Sequence, residues 1–167
     1  EPYYRLVHGE ADGLPGLIVD RFADAFVVQI GTAGIETLVD DVIAALNERL
    51  GARTVVLRND GPFRRLESLD AYVRAVTGEI HEPVEVIEGG LRFPADLMAG
   101  QKTGWYFDQR ASRAFVAPLA AGGAMLDVYC YTGAFALASA AAGADAVLGV
   151  DSSREALTLA RRAADWN

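Results

Sequence analysis

The stretch from Met125 to Asp165 admits few folds. Met125-Leu126-Asp127-Val128-Tyr129 is a short, mostly apolar run, the pattern of a buried strand. Tyr131-Thr132-Gly133 then reads as a tight turn. Eight of the thirteen residues 134–146 are alanine, which predicts a small-faced helix that packs close to a sheet. Ala146–Val150 reads as a second buried strand, ending in Asp151. Ser152 with Glu155 forms an S-x-x-E capping box, opening a helix to about Asp165. Upstream, Asp108 is placed to cap a helix over about Gln109–Leu119, ended near Ala121-Gly122-Gly123 or earlier at Pro118. The order helix, strand, turn, helix, strand, helix is the start of a parallel α/β sheet.

The first half follows a different grammar. Residues 1–95 carry 9 Lys+Arg and 16 Asp+Glu, against 6 and 7 in residues 96–167. Local charge therefore falls from −7 to −1 where composition shifts to Ala and Gly. The shift predicts two units, 1–95 and 96–167, with a boundary between about 89 and 108. Leu17–Val19 and Phe26–Ile30 are short β-type runs around the turn-rich Arg21–Ala25, which predicts a hairpin. Ile35, Leu38, Val39, Val42, Ile43, Leu46 and Leu50 fall at the spacing of an amphipathic helix, stopped by Gly51. Thr54–Leu57 and Ala71–Val76 read as further strands. Val84–Ile87 and Leu91–Phe93 flank Gly89-Gly90, a two-residue hairpin turn. The first unit is expected to be α+β, a mostly antiparallel sheet backed by a helix.

The turn after the strand at 125–129 carries the chemistry. In doubly wound folds, ligands sit beyond the carboxyl ends of the strands. Gly133 lets the backbone approach such a ligand, and the next helix offers free N–H groups. Asp151 lies 18 residues on, where an acidic residue accepts hydrogen bonds from ribose hydroxyls. An adenosine-bearing ligand is one reading. The other is a purely structural βα turn, with Asp151 capping a helix. A dinucleotide fingerprint needs G-x-G-x-x-G, and Tyr129 and Tyr131 stand where glycines are expected. A carboxylate at Asp127 suits an ammonium group rather than a pyrophosphate.

Several classes drop out. One cysteine, Cys130, leaves no internal disulfide and no Cys-type structural zinc site. Two histidines, His8 and His81, offer little for a metal cluster, so no metal is expected. No apolar run reaches the roughly 18 residues of a membrane span. A pI near 4.7 argues against a nonspecific nucleic-acid binder. A reducing, cytoplasmic setting fits this cysteine usage. The polar opening Glu1-Pro2-Tyr3-Tyr4-Arg5 is no signal peptide, and the absence of an initial Met suggests a start inside a longer polypeptide.

Three stretches carry a resemblance to a known family. Leu126-Asp127-Val128-Tyr129-Cys130-Tyr131-Thr132-Gly133-Ala134-Phe135 resembles the first cofactor motif of class I S-adenosylmethionine-dependent methyltransferases. More narrowly, it is similar to the large-subunit ribosomal RNA cytosine-C5 methyltransferases. Gly100-Gln101-Lys102-Thr103-Gly104-Trp105-Tyr106-Phe107-Asp108-Gln109-Arg110 is similar to the signature before that family's cofactor domain. His8-Gly9-Glu10-Ala11-Asp12-Gly13-Leu14-Pro15-Gly16-Leu17-Ile18-Val19-Asp20-Arg21 is similar to the opening of its central α+β domain. The resemblance implies an α/β fold: the α+β unit, then the first half of a Rossmann-like methyltransferase domain. It implies S-adenosylmethionine as cofactor and ribosomal RNA as partner. Asp127, Tyr129, Tyr131, Thr132 and Gly133 would line its methionine and ribose side. Asp151 would hold the ribose hydroxyls, and Ser152 would sit near the adenine. Lys102, Thr103, Gly104, Phe107 and Asp108 would close the pocket from the preceding segment.

In that family a cysteine thiolate attacks C6 of cytosine, activating C5. The family's N-terminal RNA-binding domain and its Pro-rich catalytic motif are absent from these residues. The chain is therefore expected to be a fragment, a cofactor half-site with no catalytic residues of its own. Cys130, in the cofactor turn, reads as a packing residue. His8 reads as a loop or strand-edge residue and His81 as a solvated loop residue. Arg58, Arg64 and Arg65 read as salt-bridged surface rather than RNA contacts, because the unit is acidic. Arg161-Arg162 suits a helix C-terminus. Lys102 and Arg110 have the best case for ligand contact. Trp105, Tyr106 and Phe107 have two equal readings, stacking on adenine or a base, or plugging a seam. Two parallel strands alone leave apolar surface open, so the second unit is expected to lean on the first, on another copy or on a completing chain. The alternatives in function are a non-catalytic nucleotide or S-adenosylmethionine binding module and, disfavoured by the missing glycines, a nicotinamide-dependent oxidoreductase fragment.

Overall fold

The computed structural model describes residues 2–80 and 83–167; the reading of His81 lies outside them. The chain divides into two units. The first holds residues 1–84 and 96–105, and the second 85–95 and 106–167.

The first unit is built on a five-stranded sheet. Its strands are β1 (Tyr3–His8), β2 (Leu17–Phe22), β3 (Ala25–Ile30), β4 (Thr54–Asn59) and β5 (Tyr72–Thr77), adjacent in that order. The β2–β3 hairpin forms as expected, with Phe22 opposite Ala25. Only β3 and β4 run parallel, because a helical crossover joins them. That crossover is α1 (Ala33–Glu36) and α2 (Val39–Leu50), not one continuous helix. Leu38, expected on the apolar stripe, lies at the break and is 46% exposed. The rest of the stripe behaves as its spacing demands. Ile35 and Leu46 are buried among Leu17, Val19, Phe26, Val28, Ile30, Val55 and Leu57, with Val39, Val42, Ile43 and Leu50 packed alongside. Each fully buried aliphatic side chain of this kind contributes about 1.5–3 kcal/mol. The helix ends at Gly51 in the left-handed conformation. His8 closes β1, a strand that sequence periodicity did not show.

Residues 96–105 are a strap tied to this unit. Leu97 and Trp105 are fully buried. Arg58 donates to the carbonyls of Leu97 (3.3 Å) and Gly100 (2.9 Å). Thr103 Oγ1 donates to Asp20 Oδ2 at 2.6 Å. Asp20, itself fully buried, also takes a two-pronged pair from Arg5 at 2.9 and 3.1 Å. Gly104 turns the strap at φ +107, and a Cβ there would stand 2.7 Å from the Asp96 carbonyl. Only glycine fits.

Buried polar side chains bind the sheet to its loops. Arg64 donates to the carbonyls of Ile30 and Asp70 and to Glu36 Oε2. Asn59 accepts from Ile30 N and donates to Tyr72, whose hydroxyl donates to Glu36. Arg64 holds the Glu36 carboxyl below its ordinary pKa. Arg58 and Arg64 are thus structural cations.

The second unit begins with the hairpin β6 (Val84–Glu88) and β7 (Leu91–Ala95), turning at Gly89-Gly90. The sequence assigned this hairpin to the first unit. The structure groups residues 85–95 with the second, through ties no local pattern announces. Glu88 takes a bidentate pair from Arg113 at 2.6 and 2.9 Å and a further bond from Arg110. Asn167 exchanges two hydrogen bonds with the Arg92 backbone.

The helix expected over 109–119 is shorter. It comprises a 3-10 turn at Phe107–Gln109, α3 (Arg110–Val116) and a second 3-10 turn at Ala117–Ala120. Asp108 sits inside the first turn rather than capping it. Pro118 falls in the second turn, where its missing N–H ends the α ladder. Then come β8 (Ala124–Val128), α4 (Ala134–Ala141), β9 (Ala146–Val150) and α5 (Arg154–Trp166). β8 and β9 are parallel, with Leu126 opposite Leu148 and Val128 opposite Val150. The cap of α5 is Ser153, not Ser152: its Oγ accepts from Ala156 N at 3.1 Å. Asp151 receives the Ser153 N–H, which moves the helix start one residue on.

Leu126, Val128, Leu148 and Val150 are between 45% and 61% exposed, so this sheet presents an open apolar face. Among the described residues, no helix is long and apolar enough to cross a membrane.

The Asp20 cluster is the polar anchor of the first unit. Asp20→Ala leaves Arg5 and Thr103 without their shared acceptor, at a cost of about 2–4 kcal/mol, since Arg5 regains some hydration. Urea unfolding measures it; a loss below about 1 kcal/mol would mean that the strap is held by Leu97 and Trp105 alone.

Candidate functional site

At the carboxyl end of β8 the chain makes an unusual turn. Tyr129 (φ 64), Tyr131 (φ 49) and Gly133 (φ 76) all adopt the left-handed conformation. Glycine does so freely, whereas each tyrosine costs about 1–2 kcal/mol. The turn persists because its amides are held. Tyr129 N and Cys130 N both donate to the Val150 carbonyl, at 2.8 and 3.1 Å. Tyr131 N donates to Asp151 Oδ2 at 2.8 Å. Gly133 N closes onto the Cys130 carbonyl and Gly133 precedes α4. A Cβ on Gly133 would stand 3.2 Å from Ala160 Cβ, so the glycine also admits α5 close to the turn.

Two carboxylates meet here. Asp127 lies on β8 opposite Gly149, and Asp151 immediately follows β9. Asp127 Oδ2 accepts from Ala136 N in α4 at 3.1 Å. Burial raises the Asp127 pKa, the Ala136 N–H offsets part of that, and the Asp151 charge raises it further. Asp151 uses its two oxygens on Tyr131 N and Ser153 N, and each oxygen keeps a lone pair. Among the described residues, no Lys or Arg pairs with either. The pair is an acidic site without its cation.

The remaining residues divide. Tyr129 is 84% exposed. Tyr131 meets the Tyr106 ring edge-on, with centroids 5.5 Å apart. Thr132 points inward, 1% exposed, and its hydroxyl has no partner among the described residues. Ser152 is exposed beside Asp151. Phe107 and Asp108 belong to this unit, with the Arg110 guanidinium over the Phe107 ring. Lys102, Thr103 and Gly104 belong to the first unit, where the Thr103 hydroxyl is committed to Asp20. Trp105 is buried in the same strap, a core residue rather than a stacking platform. Tyr106 is the aromatic of that trio set against the turn, and its hydroxyl pKa is raised by burial, Asp108 and Asp151.

Cys130 is a packing residue. It is 7% exposed, and its Sγ would lie 3.1 Å from a Cβ on Gly149. Burial, then Asp127 and Asp151, push its thiol pKa up, which keeps it protonated and a poor nucleophile.

Such an arrangement can do two things. The acidic pair can take a cationic group, and the Asp151 oxygens can accept from a vicinal diol. The adjoining backbone of 129–133 gives a flat ligand close approach.

A profile of the S-adenosylmethionine-dependent methyltransferase family matches residues 43–167. Ribosomal RNA large subunit methyltransferase I of Aeromonas hydrophila is 40% identical over 166 residues, 98% of this chain and 42% of that protein. The Shewanella frigidimarina protein of the same name is 39% identical over 95% of this chain and 40% of its own length. The chain thus spans less than half the length of these curated relatives. A candidate S-adenosylmethionine-dependent methyltransferase from Streptococcus mutans shares the fold, with a TM-score of 0.84 at 24% identity over 99% of this chain and 43% of that one. A methyltransferase solved with SAH superposes equally well, also at 24% identity, over 99% of this chain and 42% of its own.

The raised Asp127 pKa has a consequence for stability. The folded state holds this proton more tightly than the unfolded chain. Stability from protonation is therefore full below the unfolded pKa and lost as pH rises through the folded one. Above that window the ionised carboxylate is a standing cost. Asp127→Asn keeps the Ala136 acceptor and removes the charge. It should melt higher than the parent at pH 7, with the gain vanishing as pH falls through the Asp127 pKa. A gain independent of pH, or none, in parallel thermal melts would contradict this origin.

Proposed function

Because this chain belongs to the S-adenosylmethionine-dependent methyltransferase family, we propose that it forms the cofactor-binding part of a ribosomal RNA methyltransferase acting at cytosine C5. The observation that carries the reading is the Asp127–Asp151 pair at the ends of two parallel strands, held by backbone N–H groups and lacking a cation. S-adenosylmethionine has the matching chemistry, a cationic methionine end and a ribose diol. When bound, it supplies an activated methyl group.

Asp127 takes the ammonium, which relieves its burial cost. Asp151 accepts from the ribose hydroxyls with the lone pairs that Tyr131 N and Ser153 N leave free. Tyr129, Tyr131, Thr132 and Gly133 form the floor through their backbone. Ser152 borders the adenine. Lys102, Gly104, Phe107 and Asp108 are assigned to cofactor binding on their likeness to the family signature, whereas Thr103, fully buried with its hydroxyl on Asp20, holds the strap.

The RNA substrate rests on the names of the relatives, and a cytoplasmic place follows from it. Attack on C6 of cytosine needs a thiolate. Cys130 is the single cysteine, and its burial and two acidic neighbours unfit it. The 167-residue chain therefore binds cofactor without transferring the methyl group. The open face of β8 and β9 favours a further layer of polypeptide, from a longer chain, a second copy or a completing partner.

A thermal melt tests the cofactor assignment. S-adenosylhomocysteine at about 100 times its dissociation constant adds about 2.7 kcal/mol, a visible upward shift. NAD should add nothing, and Asp127→Asn should lose most of the S-adenosylhomocysteine shift. A cooperative melt that ignores millimolar S-adenosylhomocysteine would refute the assignment.

A further inference from the structure

The first unit contains a cavity of about 330 Å³ that the cofactor chemistry does not use. Its wall includes Gly16, Gly31, Gln29, Arg58, Glu10 and Phe63. The glycines keep the wall narrow, with Gly31 N donating to the Gly16 carbonyl at 2.8 Å and Gly16 N to Glu10 Oε1 at 3.2 Å. Gln29 offers an amide donor and acceptor. Arg58 and Arg64 also line the wall, but both guanidiniums are committed, Arg58 to the Leu97 and Gly100 carbonyls and Asp60, Arg64 to the Ile30 and Asp70 carbonyls and Glu36. Phe63 stands at the rim, 73% exposed, on the 3-10 segment Pro62–Glu67. Leu66 on the same segment is 75% exposed. Phe63 and Leu66 together give the mouth of the cavity an apolar rim.

The lining selects the occupant. With Arg58 paired to Asp60 and Arg64 to Glu36, Glu10 and the −7 charge of residues 1–95 disfavour a phosphate. An uncharged planar ring with donors and acceptors on its edge suits the Gln29 amide and the Phe63 face. Unstacked bases of single-stranded RNA are held in this manner, on an aromatic platform with edge hydrogen bonds.

We propose that this cavity takes one unpaired nucleobase of the RNA substrate, stacked on Phe63 and read at its edge by Gln29. The inference rests on the RNA reading given above and deepens it. Specificity comes from one base and affinity owes little to phosphate.

The test uses this chain and fluorescein-labelled octamers rA8, rC8 and rU8, read by anisotropy. Phe63 is exposed, so its replacement spares the fold. Phe63→Ala should weaken the best octamer by about 5- to 100-fold, and Phe63→Trp should bind within about threefold of the parent, since it keeps the stacking face. Gln29→Leu should change the ranking of the three octamers. Raising salt from 50 to 200 mM should cost less than about tenfold, against the thousandfold or more of a phosphate-tracking surface. Equal binding by Phe63→Ala overturns the proposal. So does failure to bind any octamer in a sample that still responds to S-adenosylhomocysteine. A Phe63→Ala effect on sedimentation but not on RNA would make the rim a protein contact and overturn it too. Loss of the S-adenosylhomocysteine response with Phe63-dependent RNA binding intact would refute the proposed cofactor binding and leave the base site standing.

Discussion

The Asp151 carboxylate ties together the two loops that leave the paired ends of β8 and β9. One oxygen takes the amide of Tyr131, twenty positions upstream, and the other takes Ser153, two positions on. The first bond fixes the turn after β8 in a conformation that two tyrosines would otherwise avoid. The second sets the start of α5. Val150 adds its carbonyl to the same turn by accepting from both Tyr129 and Cys130. The ends of β8 and β9 thus become one hydrogen-bonded platform that carries two acidic side chains. Platform and charge share a cause, because the side chain that orders the loop is itself one of the two acids.

That economy has a cost that defines the chemistry. Asp127 is half-buried beside Asp151, and its proton is held more tightly for it. A cationic ligand removes the penalty, so binding draws on energy stored in the free protein. The same unit leaves Leu126, Val128, Leu148 and Val150 exposed. Parallel strands are normally covered on both faces. Cofactor chemistry is therefore concentrated at one end of a sheet whose flat side awaits cover, in a chain spanning 42% of its Aeromonas hydrophila relative.

Much of this was legible in the sequence because the signals are local. The alternation of apolar strand and alanine-rich helix placed β8, α4 and β9, and Gly51 and Gly89-Gly90 marked a helix stop and a turn. Asp151 stood out by its distance from Gly133. Other features depend on contacts distant in sequence. The pairing of Glu88 with Arg113, 25 positions apart, draws a hairpin into the second unit. Asp20 reaches across 83 positions to Thr103. Leu38 carries the right periodicity yet sits at a helix break, because spacing does not register where a crossover must bend. Ser152 and Ser153 are equally good caps on paper. The Asp151–Ser153 bond decides between them, and only coordinates show it. The cavity at Phe63 is assembled from β2, β3, β4 and three loops, and although Gly9, Glu10, Gly16 and Ile18 lie in a recognisable stretch, nothing local announces that they meet Phe63.

The central claim is that cofactor sits on the platform formed by the turn after β8 and the end of β9. A two-dimensional amide NMR titration of the isotope-labelled chain with S-adenosylhomocysteine tests it most directly. The account predicts saturable shifts concentrated at residues 127–136 and 149–153, with Tyr131 and Ser153 among the largest because their amides share the Asp151 carboxylate. Saturable shifts elsewhere, with Tyr131 and Ser153 unmoved, would contradict it.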